Sequence, residues 1–229
     1  MAKQTFLSVL LVVVIAVLLG WLLSVNIDTS RLDRGFPWQI EIMPDGSTQV
    51  MQINLGHTTL GEAAKKFNVS PEFTMFAKDG ELAVIEAYFN TLRISSLNAK
   101  MVVSFDLSEA GLSAIYNRGI RISTMGSGTR KVTIHPDDIA YLQTVAINSI
   151  TYIPATNLDA DIIKKRFGEP AERIQENAAT EHWLYPKKGL DLLLNRDAKE
   201  VLQYVLPSHF SAISEPLKQH QKEVNPVHE

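Results

Sequence analysis

The stretch NLDADIIKKRFGEPAERIQENAATEHWLYP, residues 157–186, changes its hydrophobic period halfway along, and that change decides the fold class. Leu158, Ile162, Ile163 and Phe167 fall along one helical face, Gly168 stands where a helix takes its closing residue, and Pro170 follows as a stop. Beyond them, ERI, EHWLY, GLDLLLN and EVLQYVL are four apolar-rich segments separated by ENAAT, PKK and RDAK, the pattern of an antiparallel meander. A helix followed by a meander makes a two-layer α+β unit, because a sheet with one apolar face needs a cover over it.

Upstream the same vocabulary recurs. WQIEIM alternates apolar and polar positions, PDG at 44–46 is a turn, and STQVMQINL resumes the alternation, which predicts a hairpin. Thr59 and Glu62 form a capping-box pair, and Leu60, Ala63, Ala64 and Phe67 fall at helical spacing, so a short helix is expected from about 60 to 67, before Pro71. Asp79-Gly80 joins two apolar runs as a hairpin, and AKMVVSFDL adds a strand. SEAGLSAIYNRG reads as a helix capped by Ser108 and closed by Gly119. IRIST and RKVTI flank a GSG turn, HPDDIAYLQ suits a helix start with Pro136 in its first turn, and INSITYIP returns to strand. The first helix ends in KKF and the later one in KRF about a hundred residues on, each before strands, which hints at an internal duplication into two related helix-plus-meander units.

Ahead of all this, Phe6 to Val25 runs about twenty positions without a charge or a proline, the length that spans a hydrocarbon core at 1.5 Å per residue. Bulky Trp21, Leu22 and Leu23 stand where a cleavable signal needs small residues, so an uncleaved transmembrane anchor helix is expected. Few residues precede it and about two hundred follow, which points to a signal anchor in the inner membrane, single-pass, with the C-terminal body in the periplasm of a Gram-negative cell. Ala16 and Gly20 are a small-xxx-small pair through which two such helices could approach as a homodimer. The expected layout is therefore a cytoplasmic N-terminus at 1–5, the anchor at 6–25, a tether at 26–36, a first α+β unit at 37–153, a second at 154–210, and a mobile polar tail at 211–229. The tail expectation rests on SAISEPLKQHQKEVNPVHE having two prolines and no apolar period.

Composition narrows the function. The chain of 229 residues is 45% hydrophobic and 21% charged, enough to bury a core. A formal net charge of -3 leaves no electrostatic footprint for nucleic acid. Without cysteine there is no disulfide, no thiolate chemistry and no acylated lipoprotein cysteine.

The second unit resembles the small periplasmic domain of the BamE/SmpA outer-membrane assembly lipoproteins and related folds of the beta-lactamase-inhibitor-protein type. Their helix-ending hydrophobic-Gly-x-Pro step matches Phe167, Gly168 and Pro170, and their Trp-x-Tyr pair matches Trp183 and Tyr185. The resemblance covers about a quarter of the chain and implies a helix packed on a meander in the periplasm. The lipobox cysteine of those lipoproteins is absent, with an anchor segment in its place, so their assembly role does not carry over.

Among six histidines, His135 with Asp137 and Asp138 is the most suggestive cluster, a possible metal-dependent hydrolase site. It lacks a second His at i+3 or i+4, and the carboxylates suit a helix N-terminus as dipole partners. TMGSGTRK at 124–131 lacks the spacing of a phosphate loop and reads as a hairpin turn, and Ser123 and Ser127 lack a nucleophile-elbow context. His182 is expected solvated or on a sheet face. No catalytic set and no cofactor is expected. Strand alternation puts most of the aromatic residues in the core, and Trp38, Trp183 and Tyr185 are those that would offer a partner-binding surface where they are not. The function expected is a non-enzymatic, membrane-anchored interaction or scaffold protein bound to another envelope protein. The alternatives are an envelope enzyme at His135, Asp137 and Asp138, and a small-ligand or lipid carrier using a sheet face.

Overall fold

The computed structural model describes residues 35–224. The anchor at 6–25, with Ala16 and Gly20, lies outside them, as do most of the tether and the last five positions. Among the described residues, no helix is long and apolar enough to cross a membrane.

The architecture is α+β. Thirteen strands are described: β1 (Glu41–Ile42), β2 (Thr48–Val50), β3 (Ile53–Asn54), β4 (Glu72–Ala77), β5 (Val84–Ile94), β6 (Leu97–Phe105), β7 (Arg121–Thr124), β8 (Arg130–Thr133), β9 (Ile147–Pro154), β10 (Glu172–Gln175), β11 (Thr180–Tyr185), β12 (Leu190–Asn195) and β13 (Val201–Tyr204). The helices, numbered in chain order, are α1 (Leu60–Phe67), α2 (Glu109–Arg118), α3 (Pro136–Leu142), α4 (Ala160–Phe167) and α5 (Ser211–Val224). β1 to β3 form a small sheet, and the other ten form one antiparallel sheet in the order β10-β11-β12-β13-β9-β6-β5-β4-β8-β7.

Helix boundaries follow local chemistry. At α1, the Thr59 hydroxyl accepts from the Glu62 amide at 3.3 Å while the Glu62 carboxylate accepts from the Thr59 amide at 2.8 Å, the reciprocal cap expected of that pair. Asn68 closes the helix in the left-handed region at φ 54°. At α4, Asp159 accepts from the Ile162 amide and Gly168 closes at φ 84°. Gly119 closes α2 as expected, its amide donating to the Tyr116 carbonyl, at a φ of -53°. It is needed for space, because a Cβ there would lie 2.3 Å from Val132 Cγ1 on β8.

The two expected units are not separate bodies. The boundary at 153/154 falls inside β9, which pairs with β6 on one side and β13 on the other. Leu202, Tyr152, Met101 and Phe89 stand opposite one another across β13, β9, β6 and β5, and Trp183 and Leu192 continue the row across β11 and β12. All six are buried in one core with Ile163, Phe167, Leu60 and Ala63 from α4 and α1, so both helices cover the same face. A second cluster joins Leu112 and Ile115 of α2 and Leu142 of α3 to Met75 and Val132 on that face.

The topology is balanced about the β13–β9 seam. β4, β5, β6 and β9 follow α1, β10 to β13 follow α4, and each set runs from its outer strand to the seam. Around Gln203↔Thr151, Leu202 faces Tyr152 and Tyr204 faces Ile150, so a two-fold exchange of the strands maps each tyrosine onto the other. Segment α2-β7-β8-α3 interrupts the first set and extends the sheet past β4.

Two expectations fail for identifiable reasons. STQVMQINL is not one strand: Met51 and Gln52 take φ of 50° and 61° and turn the chain between β2 and β3. The bend lets Met51 bury its side chain beside Val50, Ile53 and Leu55, an outcome no glycine or asparagine announces. The tail expected at 211–229 is helical through Val224. Phe210, Ser214 and Leu217 lie at i, i+4 and i+7 on its inner side, and a serine in the middle of that stripe hides the apolar period. Pro216 sits on the exposed side, so it costs one backbone bond and no packing.

Because the seam is shared, 37–153 and 154–210 expressed separately are expected to give no cooperative unfolding and no dispersed amide spectrum. Leu202→Ala in the full chain should cost about 2–5 kcal/mol in urea unfolding, the range for emptying a fully buried leucine site.

Candidate functional site

The aromatic residues expected to meet a partner are structural. Trp183 and Tyr185 point from β11 into the core, 1% and 5% exposed, and neither can reach a partner without opening it. Trp183 Nε1 donates to Glu181 at 2.8 Å, and the Arg173 guanidinium lies 4.0 Å above its ring. Tyr185 donates its hydroxyl to the Gly168 carbonyl at 2.9 Å and packs against Phe167, so the Trp-x-Tyr and Gly-x-Pro steps meet as a clasp between sheet and helix end. Burial, with the Glu169 charge, pushes the Tyr185 phenol up to about 12, so it stays a donor. Trp38 is half-buried, stacked on Phe36 at 4.7 Å with the Arg166 guanidinium 4.5 Å from its ring.

His135, Asp137 and Asp138 do not converge. His135 is the N-cap of α3, its Nδ1 accepting from the Asp137 amide at 3.2 Å. Asp137 is exposed, whereas the buried Asp138 carboxylate takes both Nε and Nη2 of Arg118 on α2 and so pins the two helices together. Among the described residues, no group of three His, Cys, Asp or Glu is placed to hold a metal ion. Asp45, Ser47 and His57 look like a triad but are not: Ser47 Oγ at 2.6 Å and His57 Nε2 at 2.8 Å both bond the carboxylate of Asp45, so no base faces the hydroxyl.

His182 takes the second of its two expected places, on a sheet face, and is buried there. It lies on the sheet face opposite the main core, only 5% exposed, with Nδ1 2.8 Å from Asp191 on β12 and Nε2 3.5 Å from Glu176. Burial lowers its pKa, but the hydrogen bonds and charges of Asp191 and Glu176 outweigh this and the net shift is upward. α5 covers this end of the face through Ile174, Leu184, Phe210 and Leu217, and Lys218 meets Glu172 at 3.0 Å.

What remains open is the opposite end of the sheet. Met125 N–H donates to Thr129 across the β7–β8 turn, so by alternation Arg121 and Ser123 bond toward β8 while the amides and carbonyls of Ile122 and Thr124 point off the sheet edge. All four β7 residues are exposed. Ile120, Ile122 and Met125 are exposed here, as are Leu82 and Val84 on the β4–β5 hairpin, whose tip lies beside that of β7–β8 because β4 pairs with β8. Between that hairpin and α2 is a cleft of about 360 Å³ lined by Leu82, Leu112, Tyr116 and Arg130. Arg130 pairs with Asp79 across it, and its Nε is buried without a partner. β7 carries one charged residue, Arg121, whereas the outer edge β10 carries Glu172 and Arg173 and is braced by α5. Sequence reasoning missed the β7 edge because exposed isoleucines in a strand look like core until the strand's neighbours are known.

Comparison of the chain with protein-family models, curated proteins and solved structures gave no match.

The raised His182 pKa fixes the sign of a pH effect. Its contribution to stability is fully present below the ordinary value near 6.5 and is lost as pH rises through the higher native value. Amide exchange in α5 and β11 should therefore speed up between pH 6 and 8 more than in α1, and His182→Gln should remove the difference.

Proposed function

We propose that this chain is a non-enzymatic interaction protein of a bacterial envelope. Residues 6–25 hold it in the inner membrane, and the body at 35–224 lies in the periplasm and recruits another envelope protein through the β7 edge. The observation that carries this reading is an uncovered edge strand whose outward backbone groups are flanked by Ile120, Ile122 and Met125. Edge strands of stable proteins are normally blunted by charge, proline or a covering element, and an unblunted one is a template for an added strand. The neighbouring Leu82 and Val84 supply apolar anchors, and the cleft beside them offers a pocket for one side chain of the partner.

The resemblance to BamE/SmpA domains fits this role, as interaction modules of the same compartment. The expected duplication is supported separately: α1 and α4 both end in phenylalanine, and Phe67 packs edge-on to Phe89 while Phe167 packs against Tyr185. The enzyme alternative at His135, Asp137 and Asp138 loses its basis, because Asp138 is committed to Arg118 and His135 to its helix cap.

A photo-crosslinking amino acid at position 123 in the full-length membrane protein should give one discrete adduct in cells. Ile122→Lys should abolish it while shifting stability by no more than about 0.5 kcal/mol, as for other surface changes. An adduct indifferent to Ile122→Lys sinks the edge-strand reading. Protease added to spheroplasts should digest the body; protection would place it in the cytoplasm instead.

A further inference from the structure

On the sheet face opposite α1 and α4, the ends of β5, β6 and β9 enclose a groove of about 490 Å³. Ile153 and Ala155 give it an apolar wall beside Asn90 and Thr91, and Lys100 and Lys199 stand at its rim. Arg93 is close by, opposite Asn98, which also lines the groove. Three features set this place apart. The surface it offers is mostly apolar. No carboxylate lines it; the nearest one along β5, Glu86, is four residues from Asn90 and so about 13 Å away along the strand. None of the three cations has an acidic partner among the described residues: Lys199 Nζ rests on the Ala155 carbonyl at 2.7 Å and on Asn157, both neutral, and Arg93 and Lys100 are exposed.

Unpaired cations gathered at one apolar groove, in a chain of net charge -3, are complementary to a molecule with an anionic head and a hydrocarbon tail. We propose that this groove binds a single-chain anionic amphiphile, an acyl carboxylate, with its chain against Ile153 and Ala155 and its head between Lys100 and Lys199. The lysine stems contribute further apolar wall while their ammonium groups reach the head. A chain alone leaves the cations idle, and a head alone gains only screened surface attraction, so affinity requires both parts. This goes beyond the partner edge at β7 and does not depend on it: the groove lies over β5, β6 and β9, whereas β7 is at the far edge of the sheet.

The test uses the full-length chain in a non-ionic detergent, released intact into a mass spectrometer, with dodecanoate, dodecan-1-ol and acetate as probes. One dodecanoate should be retained, with dodecan-1-ol and acetate bound at least about tenfold more weakly, a factor of ten corresponding to about 1.4 kcal/mol. Lys100→Glu with Lys199→Glu, and separately Ile153→Asp, should each lower dodecanoate occupancy by a similar factor, while Lys165→Glu with Lys187→Glu leaves it unchanged. Thermal unfolding checks that the variants fold; if the double variant does not, Lys100→Glu alone decides, because that exposed strand residue has no partner to lose. Equal retention of dodecan-1-ol, retention unaltered by Lys100→Glu, or no adduct at all overturns the proposal. The crosslink at position 123 should persist in these groove variants, so failure here and failure of the edge reading are told apart.

Discussion

The pairing of β9 with β13 is the constraint on which the rest of this body depends. α1 and α4 have only eight residues each, below the length at which a helix is stable alone in water, so they exist because the sheet gives their apolar sides somewhere to go. That surface is continuous only if the seam is closed: Leu202 and Tyr204 from one strand and Ile150 and Tyr152 from the other fill the middle of the core, all essentially inaccessible. Side chains of this size contribute roughly 1.5–3 kcal/mol each on full burial. The seam also fixes the entry of the chain, since the Tyr204 hydroxyl donates to the Pro37 carbonyl at 2.8 Å. Tyr152, its counterpart across the two-fold, has a buried hydroxyl with no partner among the described residues, and burial pushes its pKa up to about 12. The arrangement is balanced in hydrocarbon and unbalanced in hydrogen bonding.

How much of this was legible in the sequence depends on whether the deciding interaction was local. The capping box at Thr59 and Glu62, the closure of α4 at Gly168, the Asp79-Gly80 turn and the meander after residue 170 rest on neighbours a few positions apart, and all stand where the pattern put them. Ile162, by contrast, was expected on the buried side of α4 and is exposed. The Met51–Gln52 turn is stabilised by burial of Met51 in the main core, which no local turn residue announces. α5 is hidden behind Ser214, and the joining of two units into one sheet is a pairing of residues about fifty positions apart.

The candidate site was legible least of all. Aromatic type alone offered Trp38, Trp183 and Tyr185 as a surface, but Tyr185 holds a helix end to the sheet, Trp183 is buried against Arg173 and Glu181, and Trp38 lies between Phe36 and Arg166. Residues that look functional in a sequence look the same when they are structural, because both uses favour large rings and paired charges. The β7 edge and the groove at Lys100 emerge only from the strand order, one from what lies beside a strand and the other from what lies across three. His182 shows the converse: a histidine expected only on a sheet face or in solvent becomes a buried, charge-coupled group once β11 and β12 are aligned.

The insertion of α2, β7, β8 and α3 between β6 and β9 imposes an order on the birth of the molecule. While the chain is being made, β6 waits with one side unpaired for more than forty residues before β9 arrives, and β9 in turn waits about another fifty for β13. Long-range pairing of this kind is slow, and unpaired strand edges invite capture by other chains. A nascent chain of this protein therefore spends its most vulnerable interval half-built, and holding chaperones will find their footing on the uncovered side of β6 before the last hairpin emerges.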